Sequence, residues 1–230
     1  RHAAGAPLKT NFVGGGTPSL LRLELWEQLL ADLDRLFDQT LNRMAAAESA
    51  SPRNTRPGTR YPIPPAEFTV ECNPESATPE LMAILRAGGV GRVSVGAQSF
   101  NPRHLKTLER WHNPDNVPRA VEAARAAGIS RQSVMKAGEF PPTDEDLDTD
   151  MFIHTVQTLA AADLARYEVS NFAVPGHESL HNLAYWRQEQ WLAAGPSASG
   201  HVYAGDDPAA GGYRWKNVPR LGDYLDSDHF

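Results

Sequence analysis

Cysteine is nearly absent from this chain: Cys72 is the only one among 230 residues. A single thiol excludes an internal disulfide framework and points to a reducing compartment. Long apolar runs are missing as well. None approaches the roughly 20 residues that cross a bilayer, so no integral membrane segment is expected. Basic charge is short too, with 22 Lys and Arg against 28 Asp and Glu and a formal net charge of −6. Nucleic-acid binders present a basic face, so nucleic acid is not an expected partner. The chain starts at Arg1 rather than Met and carries no clear signal peptide. It reads as a piece of a longer product whose targeting information is lost.

What is present is ordinary for a globular protein: 41% hydrophobic and 22% charged residues, in a length that suits one large domain or one and a half small ones. Such a chain can bury a real core.

The stretch Phe12-Val13-Gly14-Gly15-Gly16-Thr17-Pro18 organises the reading. An apolar strand ends at Val13, and Thr17-Pro18 offers an N-cap and a first helical residue. Three glycines remove every Cβ between the two, so another molecule can approach the backbone. Amides at such a helix start suit polar or anionic groups. A glycine-rich turn with no ligand is the equal alternative.

Strand and helix signals then alternate. A helix is expected over 18–37, with Trp26, Leu29, Leu30, Leu33, Leu36 and Phe37 on one apolar face. Residues 45–66, rich in Pro, Ser and Arg, read as a solvated loop inserted before the next strand. Strands are expected at 67–72 and 92–96, separated by a helix that Thr78-Pro79 opens and Gly88-Gly89 stops. One helix runs from Asn101-Pro102 to Leu108. Another carries Val117, Ala120, Val121 and Ala124, and Ile129 to Met135 starts a fourth strand. Thr143 then caps a long helix whose first turn is acidic (Asp144, Glu145, Asp146) and whose buried face is Met151, Phe152, Val156 and Leu159. A strand over 166–172 and a tail of different composition follow.

This order predicts an α/β fold with a parallel sheet. Functional residues in such sheets gather at the C-terminal strand ends. The Gly14–Thr17 turn, Glu71, Gln98 and, beyond the next helix, Arg110 fall there. Together they suit a small polar ligand with amine, carboxylate and ribose groups. Taken singly, Glu71 reads as a strand-end acid paired with an arginine, and Gln98 as a turn residue.

Six segments carry a family resemblance, in one order along the chain: Gly14-Gly15-Gly16-Thr17-Pro18-Ser19-Leu20, Glu67 to Glu75 (EFTVECNPE), Val93 to Phe100 (VSVGAQSF), Leu108-Glu109-Arg110-Trp111-His112, Tyr167 to Ala173 (YEVSNFA) and His181-Asn182-Leu183-Ala184-Tyr185-Trp186. They resemble the coproporphyrinogen oxidase-like branch of the radical S-adenosylmethionine (SAM) superfamily, and within it the heme chaperones. The resemblance implies an incomplete parallel (βα) barrel over residues 1–135, with 45–66 as an inserted loop. Over 136–230 it implies a late barrel helix and strand and a C-terminal region. It implies that Gly15, Gly16 and Thr17 contact the methionine end of SAM, and that Glu71, Gln98 and Arg110 line the rest of the site. Heme or porphyrin is the second implied ligand. His181 lies in a segment that matches a motif linked to heme handling. The plainer reading of that motif is a turn whose Tyr and Trp pack on the barrel. His112 and His177 read as solvated loop histidines.

The implied activity is heme chaperoning with SAM, delivering heme to a respiratory acceptor protein. The implied setting is the cytoplasm, or mitochondria if a lost N-terminus carried a transit peptide. The alternatives are an oxygen-independent coproporphyrinogen III oxidase of porphyrin biosynthesis and an inactive fragment. The family's [4Fe–4S] cluster is held by three closely spaced cysteines, and they have no counterpart here. Cys72 sits in a strand pattern and reads as a small buried hydrophobe. An iron–sulfur cluster needs several thiolates. An aspartate that contacts SAM in the family also has no counterpart, near Met135, and Ser199 stands where the family has a histidine. The chain therefore reads as a truncated, internally deleted copy.

Overall fold

β-branched residues at alternate positions, with helix caps between them, build the sheet. The computed structural model describes residues 8–49, 67–96, 113, 115–135, 145–205, 209 and 211–226. These sort into two compact units, one within Pro7–Ser179 and one within Leu180–Phe230.

In the first unit, strands β1 (Thr10–Val13), β2 (Glu67–Cys72), β3 (Arg92–Gly96) and β4 (Arg131–Met135) form a parallel sheet in the order β1-β2-β3-β4. The expected α/β class and parallel sheet are observed, and the barrel is not closed among the described residues. The register sets Val13 beside Val70 and Val70 beside Val93. Because side chains alternate across a strand, Val13, Phe68, Val70, Cys72, Val93 and Val95 share one face. That face meets helices α1 (Leu23–Ser49), α2 (Pro79–Ala87) and α3 (Asn116–Ala126) in one core with Trp26, Leu30, Leu81, Met82, Leu85, Val117 and Ala120. The opposite face carries Glu67, Thr69, Arg92 and Ser94, all buried. The polar alternation in β3 thus separates two covered faces rather than a core side from a solvent side.

One cluster sits at the strand starts on this polar face. Arg92 Nε donates to Glu67 Oε2 at 3.2 Å, with Arg131 Nη1 at 3.9 Å from the same oxygen. Arg92 Nη2 also donates to the carbonyls of His177 (2.8 Å) and Glu178 (3.1 Å), and Ser179 Oγ donates to Glu67 Oε1 (3.0 Å). A buried carboxylate and guanidinium are tolerable only when paired and hydrogen-bonded in this way. They strap segment 177–179 to the sheet.

Several expectations change. Thr17-Pro18 opens a short 3-10 turn, Pro18–Leu20, in which the Thr17 side chain caps nothing. Leu21 is extended, and α1 begins only at Leu23. The turn is set by Ser19, which is drawn into the β2–α2 connection. Helix α1 runs on to Ser49, into the segment read as loop, because Met44-Ala45-Ala46-Ala47-Glu48 is a run of strong helix formers. Leu36 is 52% exposed rather than on the buried face. Helix α2 matches its reading: Thr78 Oγ1 accepts from the Leu81 amide at 3.2 Å, with Pro79 behind it. Helix α4 (Glu145–Ala161) leaves Phe152 45% exposed, with the Arg166 guanidinium over its ring at 5.3 Å. The strand expected over 166–172 is instead an antiparallel hairpin of β5 (Ala165–Arg166) and β6 (Phe172–Ala173). The cause is local: the Ser170 amide donates to Glu168 Oε1, and the Tyr167 amide to the Asn171 carbonyl, closing a turn. The expected helix at 101–108 lies outside the described residues.

The second unit contains helix α5 (Leu180–Trp186), an antiparallel pair β7 (Ser199–Tyr203) and β8 (Gly212–Lys216), and helix α6 (Leu221–Leu225).

Candidate functional site at the carboxyl end of the sheet

The turn after β1 and the end of β2 meet. The Gly15 amide donates to Glu71 Oε2 at 3.0 Å. Gly15 and Gly16 have φ of +85° and +60°, the left-handed region that glycine enters freely. Among the described residues nothing lies within 4 Å of where a Cβ would stand on either, so these leave the space over them open. Gly14 differs. A Cβ there would stand 2.3 Å from Phe12 Cε1 and 2.9 Å from the Glu71 carboxyl. The three glycines therefore do two jobs, one of close packing and two of backbone conformation.

Behind the turn, Ser19 is the tie that sequence reasoning missed. Its buried Oγ accepts from the Asn73 amide at 2.8 Å and lies 2.6 Å from Ser76 Oγ, which in turn reaches the Asn73 carbonyl. Glu75 extends the connection, its Oε1 accepting from the Asn113 amide and from Asn116 Nδ2 (2.6 Å) at the start of α3. The signal was present in Thr17-Pro18-Ser19 and Asn73-Pro74-Glu75-Ser76, two turn-forming clusters rich in short polar side chains. A cleft of about 480 Å³ flanks the turn, lined by Val13, Gly14, Gly15, Thr17, Pro18 and Trp26 among others. The Trp26 indole N–H is buried without a partner among the described residues.

Of the six residues expected around SAM, Gly15, Gly16 and Thr17 lie on this turn and Glu71 touches it. Gln98 and Arg110 lie outside the described residues, as does His112. Among the described residues Glu71 forms no ion pair with an arginine. The acid–arginine pair stands at the other end of the sheet, at Glu67 and Arg92. Cys72 is buried, and burial, with the neighbouring Glu71 charge, pushes its thiol up to about 12. A thiol held neutral is a poor metal ligand. Among the described residues no three His, Cys, Asp or Glu side chains converge as a metal site.

The second unit holds His181, on α5. Its imidazole meets the Tyr185 ring edge-on, with centroids 4.9 Å apart. Tyr185 meets Trp191 at 4.7 Å, Trp191 meets His201 at 4.8 Å, and His201 meets Tyr203 at 5.0 Å. The Trp191 indole donates to the Ser199 carbonyl at 2.9 Å, and the Arg214 guanidinium lies over its ring. Tyr185 and Trp186 remain 44% and 56% exposed. Partial burial raises the Tyr185 phenol, so the ring is neutral near pH 7. His177 is exposed, in keeping with a loop histidine.

The class is that of α/β proteins with an open parallel sheet, here with a glycine turn and a carboxylate at its C-terminal rim. The chain belongs to the radical SAM superfamily, whose model matches residues 1–153. It is 32% identical to the "Heme chaperone HemW" of Mycobacterium tuberculosis across 94% of this chain and 59% of that protein. It is 30% identical to the Escherichia coli "Heme chaperone HemW", across 87% of this chain and 58% of that one. The mouse protein "Radical S-adenosyl methionine domain-containing protein 1, mitochondrial" is 28% identical over 82% of this chain. Among solved structures, the E. coli coproporphyrinogen III oxidase (HemN) shares the fold with a TM-score of 0.62 at 16% identity, over 94% of this chain and 56% of that one. The chain thus spans between about half and three-fifths of the length of these curated relatives. No helix among the described residues is long and apolar enough to cross a membrane.

Proposed function

We propose that this chain belongs to a heme chaperone that binds SAM at the Gly15–Glu71 rim and heme at His181, and passes the heme to a respiratory acceptor protein. The observation that carries the first half is the Gly15–Glu71 hydrogen bond, which sets a carboxylate beside open glycine backbone at the C-terminal rim. The residues fit SAM: the open turn admits the methionine end, and Glu71 supplies an anion for its ammonium group. Thr17 joins Gly15 and Gly16 at the methionine end, and Gln98 and Arg110 complete the site in this reading. SAM, when bound, supplies a sulfonium whose carbon–sulfur bonds are activated for cleavage. The residues do not fit a [4Fe–4S] cluster, since Cys72 is the only thiol and is held protonated.

Heme binding rests on His181, whose imidazole meets the partly exposed Tyr185 ring edge-on; its Nε2 is buried, so ligation in this reading requires the ring to turn outward. The names of the M. tuberculosis and E. coli relatives support the chaperone over the oxidase. The setting proposed is cytoplasmic. Titration with heme, followed at the Soret band, tests the reading. A saturable site is expected, with affinity lowered about tenfold or more in His181→Ala, the loss of roughly 1.4 kcal/mol or more that a ligand contact supplies. An unchanged titration in the variant removes His181 from the site.

A further inference from the structure

We propose that Gly14 is a positioning residue whose bare Cα holds the Glu71 carboxylate on the Gly15 amide. The inference rests on the SAM reading of the rim and adds a residue to it. The Phe12 ring and the Glu71 carboxyl both lie closer to the Gly14 Cβ position than real Cβ contacts come. The Gly14 φ lies outside the left-handed region, unlike those of Gly15 and Gly16. An alanine at 14 therefore meets no backbone strain. The nearest atoms it meets among the described residues are the far ends of two side chains, which can swing away. The ring and the carboxylate would yield, and the carboxylate would leave the Gly15 amide. At Gly15 and Gly16 the reverse holds: there is room for a Cβ, but the backbone angle resists one.

The Gly15 amide resonance of the whole chain, read by NMR, reports the contact directly. An amide bonded to a carboxylate lies downfield, and Glu71→Gln should move it upfield. Gly14→Ala should move it the same way with the remaining amide spectrum kept. SAM binding by calorimetry should weaken about tenfold in Gly14→Ala, the scale of one lost hydrogen bond to a charged group. Adding Gly14→Ala to Glu71→Gln should weaken it no further. A Gly15 resonance at its parent position in Gly14→Ala, or a full additional loss in the double variant, overturns the proposal. If Gly14→Ala does not fold, Glu71→Asp, one methylene shorter, must still release the Gly15 amide; if it does not, the proposal fails. A parent that shows the Gly15 signature but binds no SAM keeps the positioning role and removes the SAM reading. A parent that binds SAM while Gly15 ignores Glu71→Gln does the opposite.

Discussion

Cys72 has a neutral thiol in the folded chain, pushed from an ordinary value near 9 up to about 12. The folded state thus holds its proton where the unfolded state has released it. The sign follows: this contribution is fully present below about pH 9 and is lost as pH rises from about 9 to about 12. Compared with Cys72→Val, the parent should lose at most about 1.4 kcal/mol of stability per pH unit in that window. Urea melts at several pH values measure it. Parallel curves for the two proteins would show that the thiol is not held neutral. The burial of Cys72 was legible from its place in an apolar alternation. That of Ser19 was not, because its partners Asn73 and Ser76 are over fifty residues away and its neighbours spell an ordinary helix start. Phe152 misled for the opposite reason: an apolar residue on a helical period is exposed wherever no element covers that face.

Among elements, the C-cap of α2, Gly88, packs against Leu30 of α1. A Cβ there would stand 2.6 Å from Leu30 Cδ1, inside the core. Gly88→Ala should cost about 1–3 kcal/mol through overpacking. Pairing it with Leu30→Ala should cost less than the sum of the two, since they share one space. A fully additive result would separate the sites. The strap at 177–179 is the stronger joint. Arg92→Met leaves the Glu67 carboxylate buried, with Arg131 3.9 Å away and both hydrogen bonds from Arg92 to the strap gone. A loss of about 3–5 kcal/mol is expected on chemical denaturation. Thr78-Pro79 was readable as a cap because a cap's signal is local. The strap was not, because it joins residues 67, 92 and 177–179, and no local pattern records that. The hairpin at 165–173 falls between: Ser170-Asn171 is a turn signal, outweighed in the reading by Tyr167 and Val169.

For the whole molecule, net charge decides partners that shape does not. At −6, with a pI near 5.7, the chain should not shift duplex DNA in a gel at about 0.1 M salt, because phosphate binding needs clustered Lys and Arg. A retained complex would mean a basic face that the overall charge conceals. The parallel order of the sheet was legible from alternating strand and helix signals. The two-sided burial of that sheet was less so, because Glu67, Thr69, Arg92 and Ser94 look like a solvent face until their partners are known.

The edge-to-face rings from His181 through Tyr185 to Trp191 carry a consequence for observation. A heme held on His181 would stand two ring contacts from an indole that emits near the porphyrin's strongest absorption. Excitation would pass to the heme without radiation, and Trp191 emission would darken as cargo loads and recover as it leaves. The fold would then contain its own fluorescent gauge of occupancy, readable in real time during hand-over to an acceptor without any attached dye.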